Sequence, residues 1–511
     1  MKFFFMIFFC TSSVSALNIL VVFPHPGVSH FKVFEPMFKT LADKGHNLTI
    51  VSYLPQNTVV KNIRDVRLDE SLQSFKEIIT FEMLQGSRRF MWEGPVRLKE
   101  FAAESCESAF ENDNLKKFLK EDNSFDVILM EYFNSNCLNG LLHKYKAPVI
   151  ALSSCKIIPW YGRYFGIPDN PAYVPSVFMD YSDKLTFIER LENTVMHIFS
   201  IFMFDHIITP HGNELSKKHW GMDLEENGNI LYNSSLMLVN THSALNLARP
   251  YPPNVIEIGG IHVPSKPKKL PKNIEKWIDG SSDGVIYFSL GSMIKGHTFP
   301  TDKRKEFLKA FGKLSQTVLW KWENETMEGK PDNVMIQKWM PQFDILCHPN
   351  VKAFISHGGL LGVTEAVHCG VPVIVMPQFG DQFTNAKALE SVGGGVILHL
   401  SEATEESISK ALKKVLSSKF RQQAKELSER FRDRPMSPMD TAIYWVEYVA
   451  RHKGAPHMRT AAVNMPFYQY YLLDVISFLI LIVSLTLYIV VYVLKTMLKL
   501  FLSSSRKVKI N

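Results

Sequence analysis

No Asp-x-Asp pair occurs anywhere in the 511 residues, so the chain lacks the usual carboxylate couple that holds Mg²⁺ or Mn²⁺ on a phosphorylated substrate. No Cys-x-x-Cys occurs either, which leaves no spacing for a zinc knuckle among the 6 cysteines. The cysteines are therefore expected to be small buried hydrophobes. Cys10 falls in an apolar leader, and Cys106, Cys137, Cys155, Cys347 and Cys369 make an odd set in which at least one thiol is unpaired. Acidic residues are missing from the C-terminal tail, where Lys495, Lys499, Arg506, Lys507 and Lys509 supply most of the net charge of +7. Nucleic acid would require a basic groove with interleaved aromatics. A basic tail beside an apolar segment is a topology signal instead, so no nucleic-acid partner is expected.

Charge is also absent from Val475–Leu494, and about twenty residues at 1.5 Å each span roughly the 30 Å hydrocarbon core of a bilayer. Phe467, Tyr468, Tyr470 and Tyr471 precede this run as an interfacial belt. At the other end, Lys2 and the apolar run Phe3–Cys10 lead to Val14-Ser15-Ala16, the small-x-small pattern of a cleaved signal peptide over residues 1–16. Together these predict a single-pass type I membrane protein with its bulk in the lumen and residues 495–511 in the cytosol. Asn47, Asn233 and Asn324 head glycosylation sequons in the luminal part. Lys507 and Lys509 resemble the di-lysine retrieval signal of endoplasmic reticulum proteins, the alternative being a generic positive-inside cluster.

Between the ends, one grammar repeats: a short apolar strand, a Gly- or Pro-rich loop, then an amphipathic helix. In the first half, strands are expected at Asn18–Phe23, Asn47–Ser52, Phe125–Met130 and Pro148–Leu152, with a helix near Phe31–Lys44. In the second they fall at Gly284–Ser289, Thr317–Lys321, Val334–Gln337, Ala353–Ser356 and Pro372–Met376, and helices follow at Glu402–Ser417 and Arg421–Arg432. The pattern implies two α/β domains with parallel sheets, residues 17–262 and 272–452, joined by the Pro/Lys-rich linker 263–271. Ligands should bind in the cleft at the carboxyl ends of both sheets.

The densest chemical signal runs from Trp339 to Gln382. The strand ending at Ser356 enters a His357-Gly358-Gly359 turn that opens a helix, and such glycines let a phosphate approach backbone N–H groups at a positive helix end. Trp339 offers a flat face to a base, and Glu365 could take two ribose hydroxyls. Taken singly, Trp339 reads equally well as a core aromatic and Glu365 as a solvated helix charge.

The whole run resembles the signature of the UDP-glycosyltransferases, most of all the invertebrate members. The likeness continues through Val239–His242, Asn254–Gly260, Phe288–Ser292 and Gly454–Arg459. It implies two Rossmann-like domains in the GT-B arrangement, with the UDP-sugar held mainly by the second. By that resemblance Trp339 stacks on uracil and Gln342 bonds the uridine. Ser292, His357 and the Gly358–Gly359 backbone hold the pyrophosphate, Glu365 the ribose, and Asp381 with Gln382 the sugar hydroxyls. Leu361 stands where many relatives carry Asn. The same resemblance names His30 as the base that takes the acceptor proton, with His25 its local competitor. The carboxylate that orients the base is aligned with Glu131, where relatives have Asp. An alignment anchored on Cys137 moves that role to Asn136.

These readings predict an inverting transferase that moves a hexose, glucose favoured over glucuronate, from a UDP-sugar to a small lipophilic acceptor. Neither a resident cofactor nor a metal is expected. The Phe/Tyr/Trp/Met-rich stretches Phe90–Phe110 and Ile157–Phe204 are the expected acceptor side, much of them core. The competing reading is a catalytically silent relative that binds lipophilic ligands or a partner, motivated by Glu131 and Leu361. Whether copies of the chain form a homo-oligomer is left open.

Overall fold

The computed structural model describes residues 16–56, 58–68, 87–225 and 230–508. The leader over 1–16 lies outside them except for residue 16, and so does the tail from Lys509 onward. The chain forms two compact units, one ending at Arg459 and the other beginning at Thr460.

The first unit is built on two wholly parallel sheets. Strands β1 (Asn18–Phe23), β2 (Asn47–Ser52), β3 (Ile63–Arg67), β4 (Val127–Glu131), β5 (Val149–Ser153), β6 (Leu236–Val239) and β7 (Val255–Glu257) pair in the order β3-β2-β1-β4-β5-β6-β7. Strands β8 (Val285–Ser289), β9 (Thr317–Lys321), β10 (Val334–Gln337), β11 (Val351–Ser356), β12 (Val373–Val375) and β13 (Gly395–Ile397) pair in the order β10-β9-β8-β11-β12-β13. The helices that matter below are α1 (Val28–Asp43), α2 (Gln342–Leu346), α3 (Leu360–Cys369), α4 (Gln382–Ser391), α5 (Pro438–Arg451) and α6 (Leu473–Val508).

The apolar strands are continuous because both faces of each sheet are covered, so neither alternate set of side chains meets water. On β1, Ile19, Val21 and Phe23 enter one core with Phe34, Phe38 and Leu41 of α1, while Leu20 and Val22 enter another with Trp160, Tyr161 and Phe165. Each fully buried aliphatic or aromatic side chain contributes about 1.5–3 kcal/mol. The aromatic stretch after Ile157 is thus largely core, since Trp160, Tyr164 and Phe165 are buried. Helix α5, which linear order places in the second domain, packs on the first: Ala442, Ile443, Val446 and Val449 lie in the core of Ile19 and Val21.

Strand order reverses between β1 and β4 in one sheet and between β8 and β11 in the other. Loops leave in opposite directions at such a point, which opens a crevice at the carboxyl ends of the strands. His30 follows β1 and Glu131 ends β4; Ser292 follows β8 and His357 follows β11. Each sheet therefore presents its candidate residues at its own switch point.

The cysteines correct the sequence expectation. Cys106 is bonded to Cys137 and Cys347 to Cys369, and among the described residues Cys155 is the one free thiol, buried. Both partners of each pair come from separate elements, so no sequence spacing announced them. In the second unit, Leu473–Leu502 of α6 is long and apolar enough to cross a membrane, with its side chains exposed.

Candidate functional site

His30 occupies the first turn of α1, where its ring is fixed from two sides. Its Nδ1 lies 2.7 Å from Glu131 Oε1 and 2.7 Å from Ser154 Oγ, and the Ser154 hydroxyl lies 3.0 Å from the same Oε1. An ionised carboxylate only accepts, so both Nδ1–H and the Ser154 O–H point at it. That assignment puts the imidazole proton on Nδ1 and leaves Nε2 as an acceptor. Glu131 is wholly buried, whereas the His30 side chain keeps 18% exposure. The Phe133 ring closes on the imidazole edge to face at 4.3 Å between centroids.

The two alternatives read from the sequence separate here. Asn136 turns away: its Nδ2 donates to Thr209 O at 3.3 Å, and its Oδ1 backs onto Gly212, where a Cβ would approach to 2.2 Å. Glu131 reaches the histidine. His25 packs against His30 with centroids 4.7 Å apart, and burial together with the neighbouring His30 charge holds it neutral, its pKa well below the usual imidazole value.

The facing half is built around α3. Gly359 caps that helix with no side-chain acceptor, so its first N–H groups stay available to an anion at the positive end of the helix dipole. His357 sits just before it, with Gly291 and Gly359 on either side of its ring. A Cβ at Gly291 would come within 2.6 Å of Cε1, and one at Gly359 within 2.5 Å of Nε2. Gly291 also has φ +78°, which only glycine adopts at no cost. Burial and the Lys321 charge lower the His357 pKa to about 4, so the ring is neutral. Its Nδ1 has no hydrogen-bond partner among the described residues. Ser292 is exposed in the same turn.

Trp339 is 70% exposed, which rules out a core role and leaves a bare aromatic face beside the end of β10. Gln342 opens α2 and its Nε2 donates to Glu365 Oε2 at 2.7 Å, so two residues far apart in sequence form one polar pair. Burial raises the Glu365 pKa to about 7, partly opposed by that hydrogen bond.

Asp381 stands at the N-cap position of α4 and is half-buried. Burial raises its pKa, opposed by the Asn385 hydrogen bond and by the His30 and Lys156 charges. Gln382 departs in part from its expected use: its Oε1 accepts from the Gln378 and Phe379 N–H groups at 2.9 and 3.2 Å, so it braces the loop and only its amide nitrogen is spare. Asn385 went unnoticed in the sequence, yet it donates to Asp381 Oδ2 at 2.9 Å and to Gly358 O at 3.2 Å, joining the glycine turn to the carboxylate. Ser154 was missed as well; its one sequence signal was its place just past a strand end. Leu361 packs against the first domain's core, while its carbonyl accepts from His262 Nε2 at 3.3 Å. An apolar contact between domains thus occupies the position where relatives carry Asn. No cluster of three or more His, Cys, Asp or Glu fit to hold a metal occurs among the described residues.

The His30–Glu131 pair and the open N-terminus of α3 each sit at the switch point of their own sheet, and the paired sheets are the GT-B glycosyltransferase fold. A solved structure, "Crystal structure of UDP-glucose: anthocyanidin 3-O-glucosyltransferase in complex with UDP", shares that fold with a TM-score of 0.58 at 17% identity, over 85% of this chain and 99% of the other. Residues 22–508 match the family described as "UDP-glucoronosyl and UDP-glucosyl transferase", and the chain belongs to it as a glycosyltransferase. It is 42% identical to "UDP-glycosyltransferase UGT5" of Dactylopius coccus, across 97% of this chain and 96% of that one. It is 33% identical to "UDP-glucuronosyltransferase 1A7" of Mus musculus, across 94% and 91%.

Proposed function

We propose that the protein transfers a hexose, glucose in preference to glucuronate, from a UDP-sugar to a hydroxyl of a small lipophilic acceptor, with inversion at the anomeric carbon. The observation that carries this reading is the 2.7 Å contact between His30 Nδ1 and Glu131 Oε1. With Nδ1–H committed to the carboxylate, Nε2 takes the acceptor proton as the oxygen attacks, and Glu131 balances the imidazolium that forms. General base help of this kind contributes about 10²–10⁴-fold. Departing UDP is met by the first N–H groups of α3, by Ser292 and by neutral His357. Trp339 stacks on the base, Gln342 and Glu365 take the uridine, and Asp381 with the Gln382 amide nitrogen takes the sugar hydroxyls. Glu131 was a reason to suspect a silent relative; its 2.7 Å contact with His30 supports the active reading instead.

We place the active site in the lumen of the endoplasmic reticulum, with α6 as the anchor and the lysine-rich tail in the cytosol. Exposure of Asn47, Asn233 and Asn324 supports luminal glycosylation. The test is transfer by microsomes from UDP-[¹⁴C]glucose or UDP-[¹⁴C]glucuronate to a panel of phenols, with His30→Ala as control. Loss of transfer in that variant at unchanged UDP binding supports the reading. Transfer undiminished by His30→Ala but abolished by His25→Ala would move the base to the neighbouring histidine.

A further inference from the structure

Lys156 lies two residues beyond Ser154 in the loop after β5, and only 2% of it is exposed. Its ammonium leaves the first domain's loop and enters the second domain. Nζ donates to Thr384 Oγ1 at 3.0 Å and to the Thr384 carbonyl oxygen at 3.1 Å, on the first turn of α4. Thr384 itself is fully buried. The helix that receives the lysine follows Asp381 and carries Asn385, which binds that carboxylate. The loop that sends it holds Ser154 against both His30 and Glu131. One side chain thus bridges the sugar end of the donor site and the cluster around the base.

Packing alone does not explain this choice of residue. Burying an ammonium costs several kcal/mol before its hydrogen bonds are counted, and a methionine of similar length would fill the space without that cost. The charged and titratable groups that face Lys156 are Asp381, Arg249 and the Cys155 thiol. Burial and Arg249 press its pKa down to about 7 while Asp381 opposes them. The same lysine charge works to lower the Asp381 pKa. The ammonium thus spans a hydroxyl and a carbonyl acceptor of one α4 residue, Thr384, and the field of the carboxylate at that helix's N-cap.

We infer that Lys156 is a positioning residue for the transfer reaction, fixing the register between Asp381 on the donor side and the His30–Glu131–Ser154 cluster on the acceptor side. The inference rests on the transfer reaction proposed above. Uridine recognition lies elsewhere on the second sheet, at Trp339, Gln342 and Glu365, so loss of Lys156 should separate nucleotide binding from turnover.

The experiment compares the full-length wild type with Lys156→Met and Lys156→Arg in microsomes or detergent. It uses UDP-glucose and UDP-glucuronate as donors, 4-nitrophenol as acceptor, UDP affinity by calorimetry and thermal melting. Lys156→Met should melt at or above the wild-type temperature and bind UDP within twofold, while kcat falls tenfold or more. Lys156→Arg, which restores a cation and donors, should recover part of that loss. A melting variant with wild-type kcat would overturn the inference while leaving the transferase reading intact. If Lys156→Met melts well below wild type, Thr384→Val decides: it deletes only the Oγ1 acceptor, and a kcat loss of threefold or more at unchanged UDP affinity upholds the inference, whereas no loss overturns it. A wild type that transfers from neither donor defeats the proposed function, and this inference with it.

Discussion

Replacing Glu131 by glutamine keeps the shape of the side chain and removes its charge. The carboxylate is wholly buried and 2.7 Å from His30 Nδ1, so bulk solvent screens the contact little. A hydrogen bond to a charged group is worth roughly 1.5–3 kcal/mol, and attraction between an imidazolium and a carboxylate at such range adds to it even at a high effective dielectric constant. A net loss of about 2–4 kcal/mol in the transition state corresponds to roughly a 30- to 1,000-fold drop in kcat, at 1.36 kcal/mol per decade. The amide also brings N–H groups that can face Nδ1, favouring the tautomer whose Nε2 carries the proton and is useless as a base. UDP affinity should be unchanged because Glu131 belongs to the other sheet, and stability should move little because the new side chain is uncharged in a buried place. Initial rates with 4-nitrophenol, alongside calorimetry with UDP and a melting curve, measure all three quantities. Asn136→Ala serves as comparison and should lower kcat far less. Wild-type kcat in Glu131→Gln, or a larger loss in Asn136→Ala, would refute the assignment of the carboxylate.

Four further outcomes are expected. With its pKa raised to about 7, Glu365 is largely protonated in mildly acid solution and cannot accept from both ribose hydroxyls, so UDP should bind more tightly as pH rises from 6 to 8; the Glu365→Gln variant should lose that part of the pH dependence, which calorimetry across the range resolves. Gly291→Ala forces a Cβ within 2.6 Å of the His357 ring at φ +78°, and UDP affinity should fall by about tenfold, from a strain and displacement cost of order 1–2 kcal/mol. Double replacement Cys347→Ser/Cys369→Ser opens a loop of 22 residues and should cost about 3 kcal/mol of stability by denaturant titration under oxidising conditions. Transfer should persist at full rate in EDTA, and loss restored only by Mn²⁺ would contradict a metal-free reaction.

Central strands were legible because burial on both faces leaves uninterrupted apolar runs: β1, β2 and β9 fall where the sequence placed them, and so does the edge strand β10. Among the strands that went unread, β6 is a short, fully buried apolar run, Leu236-Met-Leu-Val239, and the others have no such run. β7 and β13 are three residues long, and β3 is an edge strand, Ile63-Arg-Asp-Val-Arg67, in which only Val66 is buried. The glycine turn before α3 was readable from local chemistry, since His357, Gly358 and Gly359 are neighbours in the chain. Contacts across long separations were not. Ser154 meets His30 from 124 positions away and Lys156 meets Thr384 from 228, and neither residue carries a local pattern that would mark it. Glu131 and Asn136 were indistinguishable in one dimension because one ends β4 and the other lies just beyond it, and only the direction of the backbone after β4 separates them.

The return of α5 to the first sheet alters what counts as a transferable half of this molecule. Its Ile443, Val446 and Val449 complete the core under β1 and α1, although more than 150 residues of the second domain intervene in the sequence. A hybrid that joins the acceptor half of one family member to the donor half of another at the Pro/Lys segment would bring in a foreign α5 against a native β1. Its failure to fold would then say nothing about acceptor choice. Recombination, whether by breeding in a genome or by splicing at the bench, preserves this interface only when α5 travels with the first half, so an intact first core is inherited through two separated stretches of the gene product and not one.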